Sequence, residues 1–157
     1  MKNAVDRVEK VGVGLDKTIS QEQKDMLVQA ALKAREHAYA PYSGYAVGAA
    51  LLTEDGLVYT GCNIENASYG ATNCAERTAF FKAVSEGHRK FDAIAIAGGM
   101  VGREPEDYAY PCGVCRQIMM EFCTGAFPVL VVKSQEDYKE YCLEELLPFG
   151  FGGASIR

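Results

Sequence analysis

Three cysteines and a glutamate in this sequence stand at spacings that suit metal chemistry. Cys112 and Cys115, within Tyr110–Gln117 (YPCGVCRQ), form a Cys-x-x-Cys pair where a helix is expected to start. That spacing lets two thiolates bind one zinc ion, and the positive end of a helix helps keep both sulfurs deprotonated. Cys74, 38 residues upstream of Cys112, sits at a second helix start in Thr72–Phe80 (TNCAERTAF). Three thiolates on two helix ends make a tetrahedral zinc site with one open position, the arrangement of a catalytic rather than a closed structural centre. Taken alone, Cys-x-x-Cys is equally a redox dithiol; that reading expects a thioredoxin-like setting in which nothing else ligates.

Glu76 follows Cys74 by two residues. It is too close to serve as a second ligand on the same turn. A carboxylate there can instead take a proton from water in the open position and deliver it to a substrate nitrogen. By itself it would be a helix-start acid favoured by the dipole; beside three thiolates it reads as a proton carrier. Three thiolates on Zn²⁺ leave a net negative charge that blunts the acidifying power of the metal, so cationic groups must offset it. Arg77 and Arg116 each directly follow a site residue. Arg77 is expected to donate hydrogen bonds to the ligand sulfurs; for Arg116 a solvated helix position is an equal alternative. His37 and His88 lack ligand spacing to Cys74 and read as surface or helix-end residues, while Cys62, Cys123 and Cys142 read as buried small hydrophobes.

The elements that must carry these residues follow from periodicity and turn signals. Ser20 and Gln23 have capping-box spacing, and Leu27, Ala31, Ala34 and Ala38 continue an apolar helical stripe that Pro41 ends. Two extended runs, 46–53 (AVGAALLT) and 57–63 (LVYTGCN), flank Asp55-Gly56, the dipeptide best suited to a tight hairpin. A helix from about Asn73 is expected to end near Gly87. A buried strand at 91–97, a helix at 113–122 and another strand at 128–133 follow. The segment 138–143 is either a last strand or a short helix. Alternation of strand and helix argues for an α/β sheet with helices on its faces and a hairpin at one edge. Ligands in such sheets favour helix N-termini near strand ends, and both cysteine groups lie at such places.

With 157 residues and 48% hydrophobic content, the chain can bury one substantial core. A net charge of −5 without a basic cluster gives no footprint for nucleic acid, and a small neutral substrate fits better. No apolar run approaches the roughly 18 residues of a membrane span. Met1–Lys10 (MKNAVDRVEK) lacks a signal peptide's apolar centre, so the chain is expected in the cytoplasm, where six cysteines suit metal binding or catalysis better than disulfides. Residues 1–19 are expected to be an N-terminal extension and 20–157 a single domain.

Cys74-Ala75-Glu76 together with Pro111-Cys112-Gly113-Val114-Cys115 resembles the signature of the zinc-dependent cytidine deaminases. From Ser20 to Phe151 the chain is similar to the small homotetrameric nucleoside deaminases in particular. Tyr42–Ala50 (YSGYAVGAA) resembles their first-strand motif and Cys62–Ala67 (CNIENA) their ribose-binding motif; Asn73–Ala79 and Cys115–Gln117 also match. The resemblance implies a three-layer α/β/α fold with a mixed five-stranded sheet and helices on both faces. It implies hydrolytic deamination of free cytidine and deoxycytidine at C4, with one zinc on Cys74, Cys112 and Cys115 and with Glu76 as proton shuttle. Asn63 and Glu65 would bind the sugar hydroxyls, and the Ala75 backbone would bind the polar edge of the base. Tyr45, where the family usually has phenylalanine, would face the base. Phe151 matches an aromatic that reaches into a neighbouring subunit's site, which makes a homo-oligomer, a tetramer, the expected assembly; Phe149 is the weaker match. A deaminase of the same fold acting on blasticidin S is the alternative, and the intact Asn63-x-Glu65 favours nucleosides.

Overall fold

The computed structural model describes residues 18–156. The expected extension, residues 1–19, lies outside the described residues except for its last two, of which Ile19 is buried in the core. Ser20 caps α1 (Gln21–Ala34), and the reciprocal bonds with Gln23 complete a capping box. The helix stops seven residues before Pro41 and tightens into a 3₁₀ turn at Arg35–His37. That leaves Tyr39 free to bridge Ile64, so the apolar stripe outlasts the α-helix itself.

β1 (Tyr45–Thr53) and β2 (Val58–Cys62) form the expected hairpin, with Gly56 at φ +88° in its turn. α2 (Ala75–Ser85), β3 (Phe91–Met100), α3 (Gly113–Phe122), β4 (Pro128–Val132) and β5 (Tyr138–Cys142) follow. A single helical turn, α4 (Leu143–Leu146), comes directly after β5, so the ambiguous segment is strand first and helix second.

The strands make one sheet in the order β2-β1-β3-β4-β5. Only β3 and β4 pair in parallel, joined through α3; the other neighbours are antiparallel. The mixed five-stranded sheet expected from the sequence is therefore present. β3 runs three residues past Ala97, because pairing with β1 continues to Tyr45 opposite Met100. Gly98 and Gly99, which resemble turn residues in sequence, are instead strand positions whose missing side chains make room for neighbours.

Alternation along the strands splits the core into two layers. Ala50, Leu52, Ala93, Ala95, Leu130 and Val132 face α1 with its Leu27, Val28 and Ala31. Ala49, Leu51, Ile94, Ile96, Val129 and Val131 face α2 and α3. Phe80 of α2 is wholly buried on this second face, with ring centroids 5.0 Å from Phe91 and 6.0 Å from Phe122. Burying such a ring contributes roughly 1.5–3 kcal/mol, and it seats the helix whose first turn carries Cys74 and Glu76. Gly61 allows that seat to be close, since a Cβ there would lie 2.4 Å from the Ala75 carbonyl oxygen.

Candidate active site

Cys74 is the N-cap of α2 and Cys112 the N-cap of α3, and neither side chain caps its helix. A serine or aspartate at an N-cap stabilises a helix by about 1 kcal/mol relative to a non-capping residue. Both helices forgo that bond and leave a sulfur free at their positive ends. The first turn of α3 adds Cys115, buried beneath the surface. The three Sγ atoms lie within 4.8 Å of one another, and those of Cys74 and Cys112 are 3.8 Å apart. Ligands about 2.3 Å from a tetrahedral zinc stand roughly 3.8 Å from each other, so the sulfurs fit that ion with little adjustment.

The surroundings favour negative charge on the Cys74 sulfur. Cys115 and then Arg77 donate to the Cys74 sulfur, which brings its pKa down to about 5 despite partial burial. Cys115, donor in that pair and buried, is pushed the other way. Arg77 Nη2 donates to Cys74 Sγ at 3.5 Å and to the Thr72 carbonyl at 3.2 Å. Its Nε is buried without a partner among the described residues, a further donor beside the sulfurs. Arg77 therefore places a cation beside the Cys74 sulfur.

Glu76 is only 4% exposed, and burial raises its pKa to about 7, with the nearby Cys74 thiolate adding to the effect. A carboxyl poised near neutrality can both accept and return a proton. It borders a cavity of about 520 Å³ that Cys74, Cys112, Ala75, Tyr45, Asn63 and Glu65 also line.

Also on that cavity, Asn63 lies just past the end of β2 and continues its pairing through its side chain. Its Oδ1 accepts from the Val47 amide at 2.8 Å and its Nδ2 donates to the Tyr45 carbonyl at 2.8 Å. One N–H and one lone pair of the amide remain for a ligand. Glu65 accepts from the Ser43 amide and hydroxyl, both at 3.1 Å, which fixes its carboxylate over the loop before β1. Phe151 is 59% exposed and does not line the cavity of its own chain; Phe149 is fully exposed with φ 54°.

The sequence matches the family model described as the cytidine and deoxycytidylate deaminase zinc-binding region over residues 21–131. The chain belongs to this family. It is 51% identical over 127 residues to a cytidine deaminase of Sporosarcina psychrophila, covering 81% of this chain and 90% of that one. A cytidine deaminase of Halalkalibacterium halodurans is 52% identical, with coverage of 82% and 93%. The crystal structure of cytidine deaminase from Burkholderia pseudomallei superposes with a TM-score of 0.74 at 46% identity, over 85% of this chain and all of that one. The α/β deaminase fold and the zinc expected from the cysteine triad are thereby established, and the redox-dithiol alternative falls away.

Other residues of this deaminase depart from simple sequence expectations. Arg116 is neither solvated nor a sulfur donor: it donates to the Pro111 carbonyl at 2.8 Å and to the Leu146 carbonyl, tying α3 to α4. Cys62, Cys123 and Cys142 are half-buried rather than buried, with the Cys62 thiol donating to the His37 carbonyl at 3.3 Å. His88, as expected, is no ligand: its ring lies tilted against Tyr59 at 5.3 Å and stands 3.5 Å from Asp55. Ala109 and Tyr110, from the loop before α3, also line the cavity, a role that no sequence signal marks. None of the described helices is long and apolar enough to cross a membrane.

Proposed function

We propose that this protein deaminates free cytidine and deoxycytidine to uridine and deoxyuridine, releasing ammonia, in cytoplasmic pyrimidine salvage. The observation that carries the reading is one cavity lined by Cys74 and Cys112 of the thiolate triad, by the buried Glu76, and by Asn63 and Glu65. Relatives at about half identity bear the name cytidine deaminase.

Cys74, Cys112 and Cys115 would hold the zinc, which when bound would supply a water acidified enough to react at neutral pH. Glu76 would take a proton from the attacking water and deliver it to ring N3 as the water oxygen bonds to C4. It would next take the remaining proton from the new C4 hydroxyl and hand it to the amine, so that C4=O forms, the C4–N bond breaks, and water and cytidine become uridine and ammonia. Its pKa of about 7 suits a group that must alternate between the two forms. The Ala75 amide, an N-terminal helix donor free of intrahelical bonding, holds the polar edge of the base, and Tyr45 packs on the ring. Asn63 and Glu65 hold the sugar hydroxyls with the capacity that their backbone contacts leave open. Arg77 keeps the sulfurs charged and in place.

Phe151 serves a neighbouring subunit, which requires an oligomer, and a homotetramer is the assembly the family resemblance implies. Its exposure and its absence from its own chain's cavity support that role.

An absorbance assay with cytidine, deoxycytidine, cytosine and blasticidin S, with zinc measured on the same sample, tests the reading. Turnover of both nucleosides with about one zinc per chain is expected. Turnover of blasticidin S alone, or none with zinc bound, would overturn it.

A further inference from the structure

The connection from β3 to α3, residues 101–112, contains no helix or strand. Connections that long are usually functional when they lack regular structure, and this one is tied down along its length. Arg35, buried at the end of α1, donates to the Met100 carbonyl at 3.3 Å and to the Arg103 carbonyl at 2.9 Å. Pro105 is buried over Gly99, where a Cβ would come within 2.9 Å of the proline Cα. Ala109 lies against Gly98, where a Cβ would come within 2.6 Å of the alanine Cβ.

The last part of the loop is gripped from the other side by β5. The Tyr108 hydroxyl donates to the Asp137 carboxylate, and the Lys139 ammonium stands 4.2 Å over the Tyr108 ring. The Tyr110 and Tyr141 hydroxyls are 3.0 Å apart, with their ring centroids at 5.7 Å. Asp137 directly precedes β5, and Lys139 and Tyr141 alternate along the strand, which places both on one face of the sheet. It is the face that α2 and α3 cover, since Tyr141 packs with their core cluster. An edge strand thereby reaches the active-site cavity, because the tyrosines it holds flank Ala109, and Ala109 and Tyr110 line that cavity.

The geometry points to a latch: Asp137, directly before β5, and Lys139 and Tyr141 within it hold residues 108–110 as one wall of the cavity. Tyr108, Asp137 and Tyr141 are then positioning residues for the substrate, which rests on the reading that this cavity takes the nucleoside. Their hydrogen bonds run between β5 and the loop rather than to Glu76 or the sulfurs. Opening the latch therefore loosens binding while leaving zinc and proton transfer in place.

Tyr108→Phe, Asp137→Ala and Tyr141→Phe each remove one part of the grip. Losing one hydrogen bond of this kind should raise KM for cytidine by about two- to tenfold. The kcat should stay within about twofold and zinc content should match the parent. Amide hydrogen exchange in residues 106–111, measured on the zinc-loaded enzyme without substrate, should quicken by a similar factor. Asp137→Asn keeps an acceptor for Tyr108 and should restore most of both values. Unchanged exchange in Tyr108→Phe and Asp137→Ala would overturn the latch, and faster exchange with unchanged KM would overturn its positioning role. A parent enzyme inactive on cytidine would instead sink the functional reading, while the exchange data, needing no substrate, would still decide the latch.

Discussion

Cys74 and Cys112 occupy the same position on two different helices, each the N-cap, and their sulfurs meet at 3.8 Å. The sheet brings this about. α2 and α3 lie on the same face, so the helices that precede β3 and β4 start at one edge of the core. Two helix dipoles then converge on a group of thiolates, each favouring the charged sulfur that a metal requires.

Zinc retention should separate the cysteines. Cys112→Ala or Cys115→Ala leaves two thiolates, and zinc content should fall from about one per chain to near zero together with turnover. Cys123→Ala should change neither, because its sulfur packs with the core cluster outside the triad. Metal analysis after gel filtration checks this, and an empty site in Cys123→Ala would show the ligand assignment to be wrong.

Glu76→Gln should keep zinc and fold yet lose most turnover. The amide preserves the volume of a side chain that is 4% exposed, and it carries no proton to transfer. General acid–base groups are worth on the order of 10² to 10⁴ in rate, and a group serving several transfers should lie at or above the top of that range. Single-turnover kinetics on the zinc-loaded variant measures it; near-normal rates would remove Glu76 from the chemistry.

Gly61→Ala tests how the first turn of α2 is held. The added methyl would lie 2.4 Å from the Ala75 carbonyl oxygen and 2.6 Å from the Ala79 nitrogen. Helix and strand must separate, at a cost of roughly 1–3 kcal/mol by analogy with overpacked cores, and Cys74 and Glu76 move with the helix. Gly70→Ala, with open space at its Cβ, is the control and should be near neutral. Thermal unfolding and zinc content of the two variants decide; equal stability would mean that the β2–α2 contact is not limiting.

Local signals made most of the fold legible. The Ser20 capping box, the Asp55-Gly56 turn and the apolar runs of β1, β3 and β4 act over a few residues, and each element lies where those signals put it. Boundaries that depend on distant partners were not legible. Gly98 and Gly99 extend β3 because β1 pairs with them, and α1 ends at Ala34 although Ala38 continues its stripe. In the site, the cysteines and Glu76 announce themselves by residue type and spacing. Tyr108, Asp137 and Tyr141 do not, since an ordinary surface tyrosine and aspartate gain a role only when β5 meets the loop before α3.

The final prediction concerns the proposed use of Phe151 across subunits. In its own chain this ring is 59% exposed, and the segment is tethered by Gln117 donating to the Phe151 carbonyl at 2.7 Å. The tether fixes the backbone, and the ring does not line the cavity that Glu76 borders. Under the proposed function this ring completes a neighbour's site. Phe151→Ala should therefore lower activity by removing an aromatic from a neighbour's site, and Glu76→Gln by removing the proton carrier. Co-expressed, the two variants form mixed oligomers in which some sites join an intact Glu76 from one chain to an intact Phe151 from another. Activity should then exceed the sum of the separate variants. Native mass spectrometry confirms the mixing. Mixed oligomers with no gain would confine Phe151 to its own chain's site or to none.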